Sequence, residues 1–225
     1  TIDFITNSYA NSYHSRTDLK YCEPVTIPYT YYPEVAGAGV RTAENATFPY
    51  QEKSKNSKTV DVYNSDQLIF ALERNMKVNI LKNSPAEYIY NVAKNILNSI
   101  INENMNDEEK IISITSWILS HNVYDWVGCA DAVFVRQDGI YRDFPDYVAS
   151  METSFYAEGS LIYGTAVCQG MAKGLDLLAL MEGIEIFKVS APANGIDRNN
   201  TLSSVIPNTG YESHGYCYAK IDGKY

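Results

Sequence analysis

Gly164-Thr165-Ala166-Val167-Cys168-Gln169-Gly170-Met171-Ala172 is the stretch on which the reading of this chain turns. Beyond Cys168, the apolar residues Met171, Ala172, Leu175, Leu178 and Ala179 recur at helical spacing and share one face. Glu182-Gly183 ends the run, with glycine suited to the left-handed residue that closes a helix. Cys168 is therefore expected at or next to a helix N-terminus. A free thiol titrates near ~8.5 and is mostly protonated at neutral pH, whereas a helix N-terminus or a neighbouring imidazolium lowers that to ~3.5–7.5. The unpaired N–H groups and the dipole at a helix start favour negative charge. The Cys168 N–H would itself stand ready to donate to an oxyanion.

A thiolate nucleophile needs a base, and the chain holds three histidines, His14, His121 and His214. His14 lies in a segment rich in tyrosine, proline and asparagine. His121 ends a predicted helix, where an imidazole suits the free carbonyls and needs no catalytic explanation. His214 opens the run His214-Gly215-Tyr216-Cys217-Tyr218-Ala219-Lys220-Ile221, followed by Asp222-Gly223. That pattern predicts a strand closed by a D-G hairpin turn. A strand holds a side chain rigidly, and alternation puts Tyr216 and Tyr218 on the His214 face with Cys217 opposite. Cys22, Cys129 and Cys217 form no C-x-x-C pair with any other cysteine, so zinc and redox motifs fail on spacing. They are expected to behave as small buried hydrophobes.

Working back toward the N-terminus, the signals remain readable as far as Val60. Val60 to Tyr63 alternates like a short strand. Ser65 is expected to cap a helix carrying Leu68, Ile69 and Leu72, and Val78 to Leu81 reads as a second strand. Ser84 then caps a helix with Pro85 at its first position and Glu87 completing a capping box. Ile89, Val92, Ala93, Ile96 and Ile100 line its buried face. Asn106 and Glu109 mark another helix start, with Ile111, Ile114, Trp117 and Ile118 as the stripe. Residues 128–160 look irregular, and Asp131, Asp138, Asp143 and Asp146 miss the spacing of a calcium loop. Residues 1–58 read as an extended, aromatic-packed accessory segment, in which Gly37-Ala38-Gly39 is a turn rather than a phosphate cradle. The boundary near residue 58 leaves 59–225 as the main domain.

Composition narrows the function. The chain has 225 residues and a formal net charge of −9, with no cluster of Lys and Arg, which argues against a nucleic-acid partner. Its longest apolar run, Leu175 to Met181, is broken by Asp176 and falls far short of the roughly 20 residues that span a bilayer. No cofactor motif and no metal-ligand spacing is present in the sequence, so none is expected.

Taken together, these blocks resemble the bacterial transglutaminase-like family. Gly164 to Ala172 is similar to its nucleophile motif, in which Cys-x-Gly and a small residue enter a helix. Forty-six residues after Cys168, Ser213-His214-Gly215-Tyr216 and Lys220-Ile221-Asp222-Gly223-Lys224-Tyr225 resemble the family's His-Ala-Trp block and its following hairpin. The helix over 107–121 and Val123-Tyr124-Asp125-Trp126 resemble the approach to its active site. The likeness covers residues 107–225. It implies an α+β fold with a papain-like core, in which the Cys168 helix packs on an antiparallel sheet bearing His214. It also implies acyl transfer through a thioester on a protein or peptide substrate, and an extracellular or cell-envelope setting. Tyr216 stands where the family usually has Trp, and Cys217 where it usually has Asn. The family's third catalytic residue, an Asp on the strand after the hairpin, has no match. Asp222 belongs to the turn, and the acid is expected beyond Tyr225. The same domain could instead serve, without catalysis, as a binding or scaffold module.

Overall fold

The structure, a computed structural model, describes residues 48–125, 153–192 and 213–225, except the side chains of 190–192 and 213–214. His14, Cys22, Cys129, Trp126, the acids at 131, 138, 143 and 146, and the Tyr-rich residues 1–47 lie outside the described residues. The described chain mixes α and β. Its elements run α1 (Pro49–Ser54), β1 (Thr59–Val62), α2 (Ser65–Glu73), β2 (Lys77–Ile80), α3 (Pro85–Ile100), α4 (Asp107–His121) and β3 (Val123–Tyr124). A π-helical turn (Gly159–Tyr163) then leads to β4 (Thr165–Ala166), α5 (Cys168–Met181), β5 (Ile186–Pro192) and β6 (Ser213–Ala219).

Local chemistry explains most boundaries. Asn106 and Glu109 form the expected capping box, each side chain accepting from the other's backbone N–H at 2.9 Å. Ser84 accepts from Glu87 N–H at 3.2 Å, with Pro85 at the first position as expected. Glu87 departs from the box: its carboxylate takes the N–H of Asn83, one residue before the cap, at 2.7 Å. At α2 the cap is Asn64 rather than Ser65, accepting from Gln67 N–H at 2.9 Å. The Ser65 hydroxyl turns away and donates to Glu158 at 2.9 Å. Asp222 and Gly223 both take positive φ, 50° and 78°, the geometry of a two-residue hairpin turn, and Ile221 and Lys224 exchange backbone hydrogen bonds across it.

Three two-stranded pairings organise the strands. β1 and β2 run parallel, joined through α2 as a strand-helix-strand unit. β3 and β4 are parallel and only two residues long, and β5 and β6 are antiparallel in the register Ala191↔His214 to Ile186↔Ala219. The last ten residues of the expected extended segment do not all stay extended. Residues 49–54 are helical, and Phe48 and Tyr50 join the same core as the later helices.

That core surrounds α5. The sequence period suggested one buried face, yet Ala172, Leu177, Leu178, Ala179, Leu180 and Met181 are all buried, and so are Lys173 and Asp176. A helix buried on all sides is a central element. α2, α3 and α4 enclose it, and the β5–β6 pair closes the remaining side. No helix among the described residues is long and apolar enough to cross a membrane.

Leu177 is fully buried in this helix. Leu177→Ala is expected to lower unfolding free energy by about 2–5 kcal/mol, because the neighbours relax only partly into the space left. Urea unfolding measures it. A loss below about 1 kcal/mol would contradict the enclosed helix.

Candidate active site

Cys168 occupies the first position of α5, and its side chain is half-buried. The residue before it, Val167, is the N-cap and contributes no side-chain hydrogen bond. The backbone N–H groups of Cys168, Gln169 and Gly170 meet no acceptor among the described residues. They are the orphan donors that every helix start leaves.

The approach of β6 to this helix start is recorded at Gly215. A Cβ placed there would lie 3.1 Å from Gln169 Cα, 3.3 Å from Gln169 N and 3.5 Å from the Cys168 carbonyl carbon. A side chain there would press on the backbone of α5, so glycine eases the close passage of the strand. His214 immediately precedes Gly215 and pairs with Ala191 in the β5–β6 register. Its imidazole lies outside the described side chains. What passes the start of α5 is thus the backbone at Gly215, one residue after the predicted base.

Two glycines hold the nucleophile loop. Gly164 takes φ +64°, and a Cβ there would sit 2.7 Å from the His121 carbonyl oxygen. Its own carbonyl accepts from Val123 N–H at 2.9 Å, tying the loop to the end of α4. Gly170 has no room for a methyl group, since a Cβ would come within 2.2 Å of the Ser154 carbonyl oxygen and 3.0 Å of that of Tyr156. These contacts give the glycine of the Cys-x-Gly pattern a steric reason.

The remaining candidates sort by environment. His121 fills a structural role: Nδ1 lies 2.8 Å from the Trp117 carbonyl oxygen, and the ring stacks on Trp117 with centroids 4.3 Å apart. Cys217 behaves as the expected packed cysteine. Its thiol donates to the Ala172 carbonyl at 3.2 Å, and burial, then the Asp176 charge, pushes it well above the usual thiol range. Tyr216 is exposed while Cys217 faces α5, so the strand alternates as expected. Asp222 sits exposed in the turn.

Sequence reasoning missed the charged groups beneath β5–β6. Asp176 is fully buried in α5, and burial together with the Glu73 carboxyl beside it pushes its titration far up. Burial pushes Glu73 up to about 7, against the opposing pull of Arg74. Burial, then the Lys173 charge, lowers Lys188 from the usual lysine range. Lys173 is neutralised by Asp66 at 2.8 Å and lies over the Tyr156 ring at 4.1 Å. Nothing in a one-sided helical pattern signals charges at such positions. A cleft of about 370 Å³ lined by Tyr50, Glu73, Asn75, Leu180 and Ile184 opens at the far end of α5, remote from Cys168. No group of three or more potential metal ligands occurs among the described residues.

No family model matches this chain, and no curated protein or solved structure matches it. The functional reading rests on these residues.

Two outcomes test this geometry. Gly170→Ala forces the helix start away from Ser154 and is expected to slow alkylation of Cys168 about 10-fold or more, since a displacement near 1 Å is enough to disrupt a reacting geometry. Peptide mass mapping after timed iodoacetamide exposure reads it, and an unchanged rate would contradict the close packing. The second concerns pH. Glu73 binds its proton more tightly folded than unfolded, so its contribution favours the fold below pH 4.5 and is lost as pH rises to about 7. Glu73→Gln should therefore flatten the decline in thermal midpoint across that window. Parallel curves for the two proteins would refute it.

Proposed function

We propose that this chain carries a cysteine-nucleophile acyl-transfer domain of the transglutaminase-like kind, acting on peptide or glutamine amide bonds. The observation that supports the proposal is the close passage of Gly215, the residue after His214, against the backbone of Gln169 and Cys168 at the start of α5, where a half-buried thiol holds the first helical position. The packing of α5 on the antiparallel β5–β6 pair supports a papain-like core, the arrangement implied by the sequence resemblance.

In this mechanism the His214 imidazole takes the Cys168 proton, and the thiolate adds to the amide carbonyl carbon. The carbonyl π bond opens to an oxyanion, which accepts hydrogen bonds from the Cys168 N–H and the helix start. Collapse re-forms the carbonyl and breaks the C–N bond, while the imidazolium returns its proton to the leaving amine. A thioester on Cys168 remains. Water or an amine then adds to it, loses a proton to His214 and expels the thiolate, giving hydrolysis or amide exchange. No cofactor or metal is required by these steps. The substrate is a protein or peptide, and the resemblance favours a location outside the cell or at its envelope.

Trapping with hydroxylamine tests the reading. A glutamine-containing peptide and hydroxylamine should yield the peptide hydroxamate with the wild-type chain. Cys168→Ala is expected to reduce that yield by a factor of about 10³ or more, while unfolding free energy changes by less than about 1 kcal/mol. Hydroxamate formation that survives in Cys168→Ala would remove the sulfur from the chemistry. A mutant that loses its fold would mark the cysteine as a packing residue.

A further inference from the structure

We infer that Ser154 and Asp125 are positioning residues for Cys168, an inference that rests on the acyl-transfer reading above. Ser154 is 3% exposed and helical, on the short stretch that precedes the π-helical segment. Its carbonyl oxygen accepts the N–H of Val167, the N-cap of α5, at 3.1 Å. The same oxygen is the atom that leaves Gly170 no space for a side chain. Its hydroxyl donates to Asp125 Oδ2 at 2.5 Å. Asp125, directly after β3, donates its own N–H to the Ala166 carbonyl at 3.1 Å.

These bonds close a ring. Starting from the Asp125 amide, it passes through Ala166 and Val167 to the Ser154 carbonyl, then from the Ser154 hydroxyl back to the Asp125 carboxylate. The two residues it grips, Ala166 and Val167, are the two that precede the nucleophile, and both are buried. A hydroxyl donating to an ionised carboxylate is shorter and stronger than a neutral pair, which suits a clasp holding two segments far apart in sequence. Both residues bond the backbone that leads to the sulfur. Each acts on the backbone that aims it: Ser154 from the helix side through its carbonyl, Asp125 from the β4 side through its amide. Opening the side-chain bond frees residues 153–156 to shift against residue 167, and with it the first turn of α5.

The test follows Cys168 alkylation by iodoacetamide at pH 6 in the full chain, read by peptide mass mapping with Cys217 as internal reference, beside thermal midpoints. Ser154→Ala and Asp125→Ala should each slow Cys168 about 10-fold or more. Asp125→Asn keeps an oxygen that accepts from Ser154 and should stay within about 3-fold of wild type. The double variant Ser154→Ala/Asp125→Ala should be no slower than the slower single variant, because the two groups act as one unit. Should Asp125→Ala not fold, Ser154→Ala against Asp125→Asn carries the same comparison. A Ser154→Ala rate equal to wild type, or rates that simply track lost thermal stability with Asp125→Asn no better than Asp125→Ala, overturns the positioning role and leaves acyl transfer standing. A wild-type Cys168 no faster than a cysteine of the denatured chain overturns acyl transfer and this inference with it.

Discussion

Everything in this fold depends on α5 being enclosed. A helix with one buried face can slide or roll by a few degrees on its neighbours. One held by α2, α3, α4 and the β5–β6 pair cannot, because close-packed interiors yield little before contacts are lost. Leu177, Leu178, Ala179 and Met181 sit in that enclosure with almost no solvent exposure. Its consequence appears at the other end of the helix. The first residue, Cys168, emerges half-buried at a place set by the core rather than by a loop. A reactive group on a rigid element keeps its geometry better than one on a flexible segment.

The two described cysteines sit in different environments. Cys217 lies on the β6 face that covers α5, donates to a carbonyl and shares its surroundings with the buried Asp176 carboxyl, all of which disfavour a thiolate. Cys168 lies at the first position of α5, whose N-cap residue Val167 makes no side-chain hydrogen bond. The charged residues under the sheet add a cost to the fold, since burying carboxyls destabilises their ionised forms. Lys173 with Asp66, and Lys110 with Glu182 at 3.2 Å, offset part of it by pairing. Asp176 and Glu73 offset theirs by holding protons more tightly.

What the sequence made legible was local. The capping box at Asn106, the Ser84-Pro85 start, the Gly183 stop and the Asp222-Gly223 turn are each decided by side chains within four residues of one another, and each stands as expected. Cys168 at a helix start belongs to the same class. Readings failed where a neighbour distant in sequence decided the outcome. Ser65 gives up the cap to Asn64 because Glu158 takes its hydroxyl. Lys173 and Asp176 are buried because three helices and a sheet meet around them, which a single helical period does not encode. The helix at 49–54 was hidden by the aromatic and proline content before it, although Pro49 at its first position suits a helix start. The Ser154–Asp125 bond joins residues 29 apart through side chains that carry no motif. The close approach of Gly215 to Gln169 and to the Cys168 carbonyl carbon joins segments far apart in sequence, and no local pattern signals it.

The central claim is that the Cys168 sulfur and the His214 imidazole act on the same substrate atoms, so one reagent should reach both. A three-carbon bis-electrophile such as 1,3-dibromoacetone loses one bromide to a thiolate and the other to a nucleophile close by. Treatment of the native chain followed by digestion and mass spectrometry is predicted to yield a Cys168 peptide bridged to the His214 peptide, a product absent when the chain is first unfolded. Cys168 carrying the reagent with its second bromide replaced by water, and His214 unmodified, would contradict the account.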